Sequence, residues 1–164
     1  MKFYRAVVIL ALLSSSWPLL SCGGPRTAGN AEANSAGQAN DAANLTRTNV
    51  EELGMLINMP FETEDAVWRS DPDQKKITAV LRFSSEDARK LTEQAEKQRK
   101  PTSAVIGSES WFPAELVAQS DQSGDDSLKG ISYAADDFYQ APYTDGRIIR
   151  IENTDYFVLE LTAK

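Results

Sequence analysis

The last two apolar runs of the chain constrain its fold more than any other feature. Arg147 to Glu152 and Tyr156 to Thr162 flank Asn153-Thr154-Asp155, a polar triplet suited to a turn. Phe157, Leu159 and Leu161 recur at every second residue, the period at which a strand sends its side chains to one side. Ile149 and Ile151 are placed to meet that row across the hairpin. Ile148 and Val158 are apolar on the other side, so a central strand covered on both faces is expected. That sets the hairpin near the middle or the end of a larger sheet.

Upstream, the pattern switches between the strand and helix periods. Lys76 to Phe83 alternates, with Ile77, Ala79, Leu81 and Phe83 on one side and Thr78, Val80 and Arg82 on the other. It runs into Ser84-Ser85-Glu86-Asp87, a helix start whose early acids favour the helix dipole. The spacing predicts a helix over 86–99, with Ala88, Leu91, Thr92 and Ala95 as its inner stripe and Pro101 beyond its end. A shorter helix is predicted from Val50 to Asn58, capped by Asn49, and Trp111 to Val117 reads as one or two turns with Pro113 near the start. Thr63–Arg69, Ser103–Gly107 and Ile131–Tyr139 carry weaker strand signals, the last interrupted by Asp136-Asp137. Asp71-Pro72-Asp73 and the Pro142, Asp145, Gly146 group read as turns, and Gln119–Gly130 as an exposed polar loop. The expectation is a single α+β domain over 48–164. It comprises a mainly antiparallel sheet of four to five strands, one long helix packed on one face, and one or two short helices.

Two absences bound the chemistry. The chain has no histidine and one cysteine, Cys22. A Ser-His-Asp triad, a Cys-His nucleophile, a Cys/His zinc site and an internal disulfide are therefore excluded. No glycine-rich phosphate cradle is present, and no cofactor or metal is called for. The 17 basic and 24 acidic side chains leave a net charge of −7 and no basic stripe, which argues against a nucleic-acid partner.

The N-terminus carries the remaining signal. Lys2 and Arg5 precede a mostly apolar run from Ala6 to Leu20, and Ser21 stands before Cys22. This order is that of a secretory signal peptide over 1–21. The ending Leu19-Leu20-Ser21-Cys22 resembles the lipobox of bacterial lipoproteins. The resemblance implies cleavage between Ser21 and Cys22, lipid on the Cys22 thiol and residence in the cell envelope. Gly23 stands where an Asp commonly retains such proteins at the inner membrane, so the resemblance implies the outer membrane, facing the periplasm, in a two-membrane organism. Residues 22–47 then form a Gly/Ala/Asn/Ser tether, with no large apolar side chain between Cys22 and Leu45. Loss of Lys2 and Arg5 makes the mature charge −9 (15 minus 24), so attachment to the membrane falls on the lipid.

The downstream constellations are weighed on their spacing. Asp121, Ser123, Asp125 and Asp126 alternate like the start of a calcium loop, but Asp126 stands where Gly is needed and Ser132 where a bidentate Glu is needed. An acidic loop is the reading. Asp136-Asp137 and Glu152 with Asp155 offer carboxylate pairs for glycoside chemistry. Trp111, Phe112, Tyr133, Phe138, Tyr139 and Tyr143 form the aromatic set, of which Trp111, Tyr133 and Phe138 are expected in the core. At least one of Tyr139 and Tyr143 is expected on the surface, near Pro142. Trp111, Tyr139, Tyr143 and Arg147 are the candidate partner-binding residues. The function read from the sequence is a non-catalytic, membrane-anchored envelope module binding a protein or glycan partner. A carboxylate-based envelope hydrolase acting on a glycan is the alternative.

Overall fold

The computed structural model describes residues 45–164; the expected signal peptide and most of the expected tether, with Ser21 and Cys22, lie outside the described residues. Helix α1 covers Val50–Leu56, where the Asn49 side chain accepts the Glu52 backbone N–H. It stops two residues before the expected Asn58, since Ile57 is already extended. Strands β1 (Asp65–Asp71) and β2 (Lys76–Arg82) form a hairpin, and α2 (Ser85–Gln98) follows at once. Its start is a reciprocal cap. The Ser84 hydroxyl accepts the Asp87 N–H at 3.1 Å and donates to the Asp87 carboxylate at 3.0 Å. Ala88, Leu91, Thr92 and Ala95 are its buried residues, the stripe the sequence spacing predicts.

The second half comprises β3 (Thr102–Gly107), α3 (Ala114–Ser123), β4 (Ser127–Ala134), a 3-10 turn at Asp136–Phe138, β5 (Tyr143–Ile151) and β6 (Tyr156–Ala163). The six strands make one antiparallel sheet in the order β1-β2-β6-β5-β4-β3. The closing hairpin sits at its centre, as the apolar residues on both sides of it require. One core lies between the sheet and α1, α2 and the 3-10 turn, built on Leu53, Trp68, Leu81, Leu91, Phe138 and Phe157. A second lies on the opposite face under α3, built on Val80, Phe112, Leu116, Leu128, Ile149 and Val158.

The α+β class and the antiparallel sheet are as expected, and several details differ. Six strands replace four to five, because the weak segments at β1 and β3 are drawn into the sheet by strong neighbours. Three helices form, one of them on the face opposite α2. The expected loop over Gln119–Gly130 is divided between the end of α3 and the start of β4. Chain 131–139 is strand only to Ala134, after which the 3-10 turn takes over. The expected turn is present at Pro142 but ends sooner: the Tyr143 N–H donates to the Gln140 carbonyl at 2.8 Å around Ala141-Pro142. Asp145 and Gly146 belong to β5, where a bulge between Tyr143 and Asp145 absorbs the irregularity. Gly146 follows it at φ +153°, a backbone angle suited to glycine. The hairpin register also differs. Ile148 lies opposite Leu159 and shares the α2 face with Phe157 and Leu161, while Ile149 lies opposite Val158 on the α3 face. Finally, Arg47 is joined to the β1 edge by paired backbone bonds to Trp68 of 2.9 and 2.8 Å, so the ordered domain begins slightly before residue 48.

Candidate functional site

The α3 face of the sheet changes character along its strands. Thr78, Glu160 and Arg147 lie side by side across β2, β6 and β5, while Val80, Val158 and Ile149 form the adjacent row. Phe112 and Leu116 cover the apolar row, where all eight residues of the second core are buried. The polar row is less covered: Thr78 and Glu160 are half-buried and Arg147 is exposed. Two depressions occupy it, of about 370 and 360 Å³. Both are lined by Arg147 and Glu160, so the two adjoin along this ion pair as one polar groove. Lys76, Arg99, Ser132, Asp145 and Thr162 line the first, and Thr78, Phe112, Val158 and the Val105–Glu109 rim line the second.

Glu160 is the centre of the groove. Lys76 Nζ lies 3.0 Å from one carboxylate oxygen and Arg147 Nε donates to the other at 2.8 Å. Burial pushes the Glu160 carboxyl up, but the bonds from Arg147 and Lys76 outweigh it and hold the group below the usual glutamate range. Glu160 is therefore ionised and fully engaged. Arg147 spends its Nε on this contact, which leaves terminal guanidinium N–H groups free to donate. Lys76, Arg99 and Arg147 against Asp145, Glu160 and Glu109 leave the groove locally neutral (3 minus 3), within a chain of net −7. The groove has free hydrogen-bond donors on Arg147, balanced charge and an apolar wall at Phe112 and Val158. It can hold an extended partner that carries carboxylate or phosphate groups.

The structure separates the four residues proposed as a partner-binding set. Arg147 is exposed in the groove. Trp111 lines neither depression; it is half-buried, edge-on to Phe112 with ring centroids 4.7 Å apart, and its Nε1 donates to Glu109 at 2.6 Å. The Arg69 guanidinium stands 5.0 Å from the Trp111 ring centre. Tyr143, by contrast, is 9% exposed in the first core. Tyr139 is half-buried against the same core, and burial raises its hydroxyl pKa. Neither tyrosine stands free on the surface, which corrects that expectation: β5 starts one residue past Pro142 and carries Tyr143 inward. Tyr133 is half-buried on the α2 face, and Phe138 is fully buried. Lys76, Thr78 and Glu160 join Arg147 in the groove and are not singled out by the sequence.

The two carboxylate pairs stand apart from each other, although Glu152 and Asp155 both line one small depression of about 270 Å³ with Arg150. Asp137 receives Gln94 and Gln98 side-chain bonds of 2.9 Å each near the end of α2. Asp155 instead binds Ser85 at the start of α2 and Arg150 in β5. Nine to thirteen residues of helix between those anchors correspond to roughly 13–20 Å, whereas glycosidase carboxyls stand about 5–10 Å apart. Asp125 is held below its usual range by bonds from Ser123 and Ser127, so its oxygens close a local turn. Among the described residues no group of three or more metal-ligating side chains is present. Comparison with family models, with curated proteins and with solved structures finds no match.

Proposed function

We propose that this is an envelope lipoprotein, held to the membrane by lipid on Cys22, whose domain binds an anionic envelope protein or glycan without transforming it. The observation that carries the binding reading is the less covered polar row of the α3 face, where two depressions adjoin along Arg147 and Glu160 as one groove. The anchor rests on the lipobox-like ending at Cys22 and the polar stretch behind it. Among the described residues no helix is long and apolar enough to cross a membrane. Asp136-Asp137 and Glu152 with Asp155 lie at opposite ends of α2 and so do not supply one joint acid–base set for the hydrolase alternative.

The two parts are tested separately. Cys22→Ala should move the protein from the detergent-rich to the aqueous phase on partitioning; unchanged partitioning would remove the lipid anchor from the account. Detergent-solubilised full-length protein should co-sediment with washed insoluble envelope material, and Arg147→Glu should lower the bound fraction about tenfold, as for loss of a charge-assisted contact. Equal sedimentation of the two would remove the groove.

A further inference from the structure

The two edges of the sheet are treated differently. β1 carries Asp65, Arg69 and Asp71, and its outer side is joined by the Arg47 backbone at Trp68. Charges and added pairing are the usual protection of an exposed edge. β3 has neither. Its sequence, Thr102-Ser103-Ala104-Val105-Ile106-Gly107, holds no charge and no proline, among the described residues it pairs only with β4, and Val105 is 62% exposed. Every second residue of such a strand presents its backbone N–H and C=O outward.

The charges around β3 indicate what covers it. Arg99 and Lys100 precede the strand and Glu109 follows it, all three exposed. Among the described residues neither Arg99 nor Lys100 forms an ion pair. We propose that β3 is the seam of a two-fold homodimer, in which a second copy pairs antiparallel through the same strand and joins two six-stranded sheets into one. A two-fold axis at Val105, normal to the sheet, sets this residue opposite its own copy and reverses the charge order of the second copy. Lys100 lies five residues from Val105 and Glu109 four, or about 17 and 14 Å along a strand. The mismatch of about 3 Å is well within side-chain reach. Each copy's Arg99–Lys100 end thus meets Glu109 of the other, and the interface is isologous and closed. Arg147 lies two strands away and Glu160 three, but Val105 and Glu109 also form the rim of the second depression and Arg99 lines the first, so the seam borders the groove.

The test uses two differently tagged full-length copies, co-expressed, with a photoreactive amino acid replacing Val105. Irradiation should yield a cross-linked band bearing both tags. Lys100→Glu in both copies, or Glu109→Lys in both, should weaken it about tenfold by setting like charges against each other twice. Pairing a Lys100→Glu copy with a Glu109→Lys copy should restore it, because both contacts are then attractive again. All three positions are exposed, so folding is preserved. A band bearing one tag and a different protein, no band, or a band indifferent to the charge reversals overturns the proposal.

Discussion

Leu116→Ala probes the layer that covers the apolar row beside the groove. Leu116 is fully buried where α3 meets Val80, Leu128, Ile149 and Val158. Alanine keeps the helix propensity, so the loss is one of packing. Removing a buried leucine side chain costs about 3 kcal/mol, the transfer and cavity contributions together. The ordered domain spans 120 residues (45 to 164), for which an unfolding entropy of about 2.1 cal/mol/K per residue gives about 0.25 kcal/mol/K. The expected fall in Tm is thus about 12 °C. Urea unfolding followed by fluorescence should report it through Trp68 in one core and Trp111 beside the other, and the two should shift together. Glu115→Ala, exposed on the same helix, should change stability by less than about 0.5 kcal/mol. A Leu116→Ala loss below about 1 kcal/mol would refute the packing of α3 on this face.

Further outcomes follow from single contacts. Gly146→Ala would put a Cβ 2.1 Å from the Glu160 carbonyl oxygen at an unfavourable φ, and should cost roughly 2–4 kcal/mol in chemical unfolding. Asp137→Ala removes the two glutamine bonds that fasten the 3-10 turn to α2, and should cost about 1 kcal/mol while speeding hydrogen exchange at Phe138 and Tyr139. Glu160 has its folded pKa lowered, so its stabilisation is complete above the unfolded value of about 4.3 and is lost as pH falls through the folded value. Glu160→Gln should therefore be less stable than wild type near neutrality and lose less on acidification, measured as unfolding free energy from pH 7 to 3; parallel curves would contradict this.

What could be read in the sequence follows from how local each signal is. Helix α2 was legible because its cap, stripe and stop all lie within eighteen contiguous residues from Ser84 to Pro101 (101 minus 84, plus 1). The closing hairpin was legible as two strands, but its register was not. A one-residue shift exchanges the faces of every side chain, and only the turn geometry chooses between registers. Helix α3 was under-read because its buried positions, Leu116 and Ser120, include a serine that hides the four-residue period. Arg147 could be singled out locally as a cation beside a turn signal. Its partners could not: Lys76 and Glu160 stand 84 residues apart and meet only through the strand order. Tyr143 was misplaced because the bulge that turns it inward has no sequence mark beyond Gly146.

The most direct test of the groove is the reactivity of Arg147 toward phenylglyoxal in intact envelopes, with Arg89 on the exposed side of α2 as the reference. Arg147 should be protected while the partner is in place and become reactive after extraction in detergent and high salt, with Arg89 reactive in both states. Equal modification of Arg147 before and after extraction would contradict a partner bound in the groove.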